Sequence, residues 1–521
     1  MDAVAARLAD LVPADARTVF EMCRPGDSVA RRVRLRNPVT SFAVLPLPAA
    51  GSPTDLPAPN LPDLLGPPRP RFDALLFHEA FLDLADPFAA MATALGHLRP
   101  GGPILLVLPY GWCERQRVER SSSSLITAIQ AALEEGALQG SDLIVDAAAR
   151  IFIPQPACDQ PETSQPPAVS HLIVRAARKS EFRRLYVSAM TLRPAGACND
   201  TRIDLPNAFL ETVPGIRTKA AIEHVSNIAR LAGEERIAIL QRRICGPNDL
   251  PSLREIVREG YLLVSEFDDH PNHWPNMLKY GHLTFRAVHA VQTSTDLLAR
   301  ELSAYNPELA VFPNQIATLP PPRPPRTDGK TVLFFGAFNR GDDAHPLLAP
   351  LNRILAANPG RVGVQVVHDR AFFDALETDD KSFMPTCNYD GYIQALRRCD
   401  VGLLPLNDTL FNRSKSDLKY IECAAHGVVA LASPVVYDET VRDGETGVLF
   451  RSPEDFADRL NRLIADTEWR AGIAERAYRY VRDNRLMAQH FRKRLDWYRS
   501  LLERKDELDA RLFERVPALR L

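Results

Sequence analysis

Short β-branched runs alternate with longer amphipathic stretches along most of the chain, and few folds can accommodate that alternation. Thr18–Met22, Ala74–Phe77, Ile104–Pro109, Ile237–Gln241, Tyr261–Phe267, Thr331–Phe335, Val362–His368, Val401–Leu406 and Val428–Ser433 read as strands. Helical patterns over 87–98, 253–259, 295–305 and 392–399 lie between them. Repeats of this size build parallel sheets covered by helices, so an α/β class is predicted. Three proline-rich stretches, Pro46–Pro70, Pro154–Pro167 and Leu319–Arg326, favour extended backbone and interrupt the pattern. At 521 residues the chain exceeds what one core holds. The breaks therefore predict segments 1–180, 181–318, a linker 319–330, 331–485 and terminal helices 486–521.

Charge narrows the function classes. Lys plus Arg number 63 against 65 for Asp plus Glu, which excludes a global basic field for nucleic acid. The eight cysteines include no C-x-x-C pair, which argues against a disulfide framework or structural zinc and for a reducing compartment. No apolar run reaches the roughly 18–20 residues that span a bilayer. The first residues carry acids where a signal peptide needs an unbroken apolar stretch, so a cytoplasmic location is predicted. The tail from Arg470 is locally basic and amphipathic, with Tyr478, Phe491, Leu495, Trp497 and Tyr498 as apolar anchors. Attraction to an anionic inner membrane leaflet is a secondary expectation for it.

The richest stretch is residues 411–450, FNRSKSDLKYIECAAHGVVALASPVVYDETVRDGETGVLF. Ser414 or Ser416 supplies an N-cap, and Asp417–His426 a helix stopped at Gly427. Its N-terminus, with Arg413, Lys415 and Lys419 close by, is suited to an anion. Glu422, three residues after Lys419, shares its face and can accept hydrogen bonds from a vicinal diol. Diphosphate plus diol describes a nucleotide-sugar. In the preceding half, Asp268, Asp269 and His270 end a predicted strand, where α/β sheets bind ligands. They read either as a capped turn or as an acid/base or positioning group beside an acceptor hydroxyl, with Trp274 as a stacking wall. One His beside two adjacent Asp is too few and too local for a metal, so none is predicted.

Glu422-Cys-Ala-Ala-His-Gly-Val-Val-Ala-Leu-Ala-Ser and Glu439-Thr-Val-Arg-Asp-Gly-Glu-Thr-Gly-Val-Leu resemble the donor half of GT-B glycosyltransferases, specifically the retaining group with an E-x7-E signature. The resemblance covers about residues 181–500. It implies that Glu422 holds the second Glu position, and that Gly336 and Arg340 approach the diphosphate. Ser414 stands where the first Glu belongs, within an S-x-x-x-K-x-x-E version of the pattern. It also implies that the last helix packs back across the cleft. The phrase FDALLFHEAFLDLADP…LRPGGPILLVLP, with Glu21…Gly26 at the glycine-loop position, resembles class I S-adenosylmethionine methyltransferases. That loop offers only Gly26, with Arg24 and Pro25 intruding, which implies a degenerate domain over 1–180.

The expectation is thus three Rossmann-like domains: a methyltransferase-like domain, then a two-domain glycosyltransferase. It would move a sugar from a nucleotide-diphosphate-sugar to a carbohydrate or lipid-linked saccharide, retaining and metal-independent, in bacterial surface polysaccharide or glycoconjugate assembly. The donor is a substrate, and no cofactor is expected. Catalytic candidates are His270, Asp269 and Asp268; donor-binding candidates are Glu422, Lys419, Arg340, Gly336, Ser414 and Lys415. Two alternatives remain: a methyltransferase with an accessory sugar-binding half, and a non-catalytic GT-B-shaped binding protein.

Overall fold

The computed structural model describes residues 2–47, 65–84, 87–109, 143–152, 169–178, 182–193, 198–226, 228–324, 326–337 and 341–520. The Pro154–Pro167 stretch, most of Pro46–Pro70 and the expected donor ligand Arg340 lie outside them. The chain forms mixed α/β structure with three six-stranded sheets, in two compact units. The first unit is residues 1–185 with 208–217 and 230–234, and the second holds the remainder.

The sheet of the first unit contains β1 (Thr18–Cys23), β2 (Ser41–Pro46), β3 (Ala74–Phe77), β4 (Ile104–Pro109), β5 (Leu143–Phe152) and β6 (Val169–Arg178), in the order β2-β1-β3-β4-β6-β5. β2, β1, β3 and β4 are parallel. β6 runs antiparallel to both β4 and β5 and lies between them. β5 takes the edge. Its alanine-rich LIVDAAARIF run has little β propensity, which concealed it.

The second sheet holds β7 (Leu185–Thr191), β8 (Ile216–Ile222), β9 (Glu235–Gln241), β10 (Tyr261–Glu266), β11 (Ala290–Thr293) and β12 (Leu309–Val311), in the order β12-β11-β10-β9-β7-β8. β9 through β12 are parallel. The third sheet is wholly parallel, with β13 (Thr331–Gly336), β14 (Val362–Val367), β15 (Lys381–Met384), β16 (Val401–Leu404), β17 (Val429–Ala432) and β18 (Val448–Leu449). Its order, β15-β14-β13-β16-β17-β18, reverses direction between β13 and β16. Such a reversal opens a crevice at the carboxyl ends of the strands.

Helix Gly341–Ala357 covers one face, burying Ala344, Leu347, Leu351, Ile354 and Leu355 at helical spacing. Pro346 and Pro350 lie inside it, so the sequence signalled a break where the helix continues. The proline stretch at 319–330 is anchored: Arg323 Nη2 donates to Asp400 Oδ1 at 2.6 Å, and Tyr478 Oη donates to the Pro320 carbonyl at 2.9 Å. The last helices, Met487–Glu503 and Lys505–Arg515, join the second sheet. Leu512, Val516 and Leu519 sit in its core with Leu263 and Val291. Tyr498 Oη donates to Gln292 Oε1 at 2.9 Å. No described helix is long and apolar enough to cross a membrane.

Candidate active site

Within the second unit, a cavity of about 310 Å³ lies at the carboxyl ends of the two sheets. The third sheet contributes Gly336, His368 and Leu404–Leu406; the second contributes Arg242, Asp268, Asp269 and Asn314. The floor is helix Leu418–Ala425, whose residues from Tyr420 onward are all buried. The helix ends as its sequence dictates. Gly427 adopts φ +71°, Val428 N–H donates to the Cys423 carbonyl, and Gly427 N–H to the Ala424 carbonyl. This is the paired bonding of a Schellman stop.

Its N-terminus differs from expectation. Asp417 is the N-cap residue and makes no side-chain capping bond. Ser416 Oγ instead accepts from Asn314 Nδ2 at 2.7 Å. Asp417 accepts from Arg485 at 2.5 and 2.8 Å. Ser414 ends the preceding short helix, where its hydroxyl donates to the Leu410 carbonyl at 2.9 Å. It does not line the cavity.

Glu422 is the chemically unusual group. Its side chain is buried and lines the cavity, yet Oε1 has no hydrogen-bond partner. Burial pushes its carboxyl above the usual range, against the pull of Lys419 and the Tyr389 and Tyr392 hydroxyls. A buried acceptor left unsatisfied is costly unless a ligand supplies the donor. Lys419 Nζ donates to Tyr392 Oη at 3.0 Å. Lys415 Nζ donates to Asp269 Oδ1 at 2.7 Å, tying the strand end of one half to the loop of the other. Arg242, in the left-handed region at φ +47°, reaches Asp268 at 2.5 Å and Asp269 at 3.2 Å. Burial opposes ionisation of Asp268, but Arg242, Arg202 and Lys415 together hold its carboxyl below the usual range.

Thus Glu422, Lys419, Lys415, Gly336, Asp268 and Asp269 gather around one cavity. His270 does not join them. Its Nδ1 accepts from Asn272 N–H at 3.3 Å, capping the turn Pro271–His273, and it does not line the cavity. Of the two readings of that turn, the geometry matches the cap. Trp274 likewise lies outside the lining. Arg202, Tyr389 and Tyr392 were missed: an isolated Arg and two Tyr carry no spacing signal, and only the fold brings them in.

In the first unit, side chains at and beyond the ends of β1 and β3 are joined by hydrogen bonds and ion pairs. Buried Glu21 accepts from Ser28 Oγ at 2.5 Å and from Val29 N–H at 2.9 Å, with His78 Nε2 also 2.9 Å away. Arg24 crosses the loop to Glu79 and Asp83 at 3.4 and 3.0 Å. Glu21, Cys23 and His78 are the described group whose donor atoms could converge on a metal. The Glu21 bonds to Ser28 and Val29 already occupy its two oxygens, and burial pushes the Cys23 thiol up to about 12.

Residues 351–496 match the family model of glycosyl transferase-like proteins. No curated protein matches the sequence. Among solved structures, HepE of Anabaena in complex with UDP-glucose is 14% identical, over 60% of this chain and 99% of that one, at a TM-score of 0.43. Sucrose-phosphate synthase of Thermosynechococcus elongatus is 13% identical, over 62% and 100%, at 0.45. A TarM variant of S. aureus is 10% identical over 51% of this chain, at 0.40; the match spans about half of that chain, 55%.

Proposed function

We propose that the second unit is a GT-B glycosyltransferase, taking a nucleotide-diphosphate-sugar in the 310 Å³ cavity. The observation that carries this is Glu422: a buried carboxylate with an unpartnered oxygen, facing a cavity beside two lysines and a helix N-terminus. A ribose diol supplies the donors that Oε1 lacks. Lys419, Lys415 and the helix dipole then meet the diphosphate and stabilise its charge as it leaves, the metal-independent form of the reaction. Gly336 has no Cβ, which lets backbone approach the phosphates. Asp268 and Asp269, paired with Arg242 and Lys415, face the same space and orient the acceptor hydroxyl. Retention of anomeric configuration, and a setting in surface polysaccharide or glycoconjugate assembly, follow from the resemblance of residues 411–450 to the E-x7-E group.

For the first unit we infer a degenerate methyltransferase-like scaffold. The inserted antiparallel β6 supports the likeness, and the ion pairs of Arg24 across the loop support loss of cofactor binding. A cytoplasmic protein suits a nucleotide-sugar donor. The test is a thermal-shift screen of nucleoside diphosphates and their sugars. A ligand at 100 times its Kd adds about 2.7 kcal/mol. One nucleotide should stabilise the full chain, and Glu422→Ala should weaken its binding by about 1.5–3 kcal/mol. A Glu422→Ala variant that binds as wild type does would overturn the assignment.

A further inference from the structure

A second, larger cavity of about 1020 Å³ adjoins the first, and Thr201, Lys415 and Ser416 line both. Its chemistry differs. At the carboxyl ends of β11 and β12 its lining includes three buried polar side chains, Arg202, Ser294 and Arg494. Arg202 is fully buried: Nε donates to Glu266 at 2.8 Å and Nη1 to the Phe312 carbonyl at 2.7 Å, while Nη2 has no partner. Ser294 is 3% exposed and its Oγ has no partner. It directly follows Thr293, whose carbonyl accepts from Phe312 N–H at 2.8 Å. Arg494, 7% exposed, lies with its guanidinium carbon 4.6 Å from the Phe312 ring centroid and has no carboxylate partner among the described residues.

Two more cations, Arg300 and Lys493, line the cavity without an ion pair among the described residues. The N-terminus of helix Asp296–Ser303 opens on the same wall, through Ser294, Thr295 and Asp296. The lining also includes Asp438 and Glu439, from the turn Tyr437–Glu439. Unsatisfied buried donors beside a guanidinium without a carboxylate partner suit an anion, and carboxylates of the same lining suit sugar hydroxyls.

The geometry points to this cavity as the acceptor subsite, built for a saccharide that carries an anionic group, phosphate or carboxylate. This rests on the glycosyltransferase reading and adds to it the class of acceptor. The anionic group sits against Arg202 Nη2, Ser294 Oγ and Arg494, with Arg300 and Lys493 contributing longer-range attraction. The remaining hydroxyls face Asp438 and Glu439. The shared residues Lys415 and Ser416 mark where the acceptor hydroxyl would meet the donor sugar.

Calorimetric titration of the full chain with glucose 6-phosphate, glucuronate and glucose tests the assignment. At least one anionic sugar should bind tenfold or more tightly than glucose, and the two distinguish phosphate from carboxylate. Arg300→Gln/Lys493→Gln, a change at positions without ion pairs, should weaken that binding severalfold. Arg494→Gln should weaken it further, while Lys419→Ala in the donor cavity should leave it unchanged. Equal binding of all three sugars, or a loss caused by Lys419→Ala and not by the Arg300/Lys493 variant, would overturn the subsite. Nucleotide binding, measured separately on the same variants, reports on the donor assignment independently.

Discussion

Glu422 and His426 share one turn of helix, and the two residues illustrate opposite uses of burial. Glu422 keeps an unsatisfied oxygen, which the proposed nucleotide would satisfy. His426 is satisfied: its Nδ1 lies 2.7 Å from the Glu422 carbonyl, an N–H···O bond that holds the helix end. Burial lowers its pKa to about 4, with the Glu422 carbonyl opposing and Arg397 reinforcing. In the unfolded chain the imidazole takes up its proton near 6.5, so acid favours unfolding. Its contribution is fully present above pH 6.5 and is lost as pH falls toward 4, amounting to about 3 kcal/mol. Melting temperature should therefore drop across that window, and His426→Gln should flatten the drop. An unchanged profile in the variant would refute this. Glu422 and Lys419 were legible in the sequence because spacing on one helix fixes their shared face. Arg202 was not, since what makes it informative is the set of strand ends that surround it.

At the scale of elements, the crevice between β13 and β16 depends on close packing at Gly336. A Cβ there would fall 2.6–2.7 Å from the Phe334 ring and 2.8 Å from the Tyr392 ring. Gly336→Ala should cost about 1–3 kcal/mol through overpacking. Because Tyr392 receives the Lys419 bond, the substitution should also weaken nucleotide binding. A variant with unchanged melting temperature and unchanged affinity would contradict that coupling. The strands of this sheet were largely readable, because buried parallel strands are continuous apolar runs. The prediction of Val362–His368 ran one residue beyond the strand, and Thr331–Phe335 stopped one short of it. Helix Gly341–Ala357 was unreadable for the opposite reason: tertiary burial of its apolar stripe overrides two interior prolines. β15, Lys381–Met384, is half-exposed and gave no periodic signal.

At the scale of the whole molecule, three sheets of similar design carry different chemistry. In the first unit, Arg24, Glu79, Asp83 and the Glu21–His78 pair occupy the strand ends where a cofactor would lie. Calorimetry of the full chain with S-adenosylmethionine should therefore register no binding; micromolar binding with methyl transfer would promote the methyltransferase alternative. In the second unit the strand ends remain open as two adjoining cavities. The sequence marked this division through motif content, a single glycine in one loop and the Lys419–Glu422 helix pattern in the other. It could not convey the cavities themselves, which need the second and third sheets together.

The most direct measurement is NMR observation of the full chain incubated with a panel of nucleotide-diphosphate-sugars and saccharide acceptors. Release of one nucleoside diphosphate, a product with the donor's anomeric configuration, and loss of both with Glu422→Ala are expected. Turnover by Glu422→Ala at the wild-type rate, or no turnover of any donor by a wild-type chain that binds none of them, would contradict that expectation.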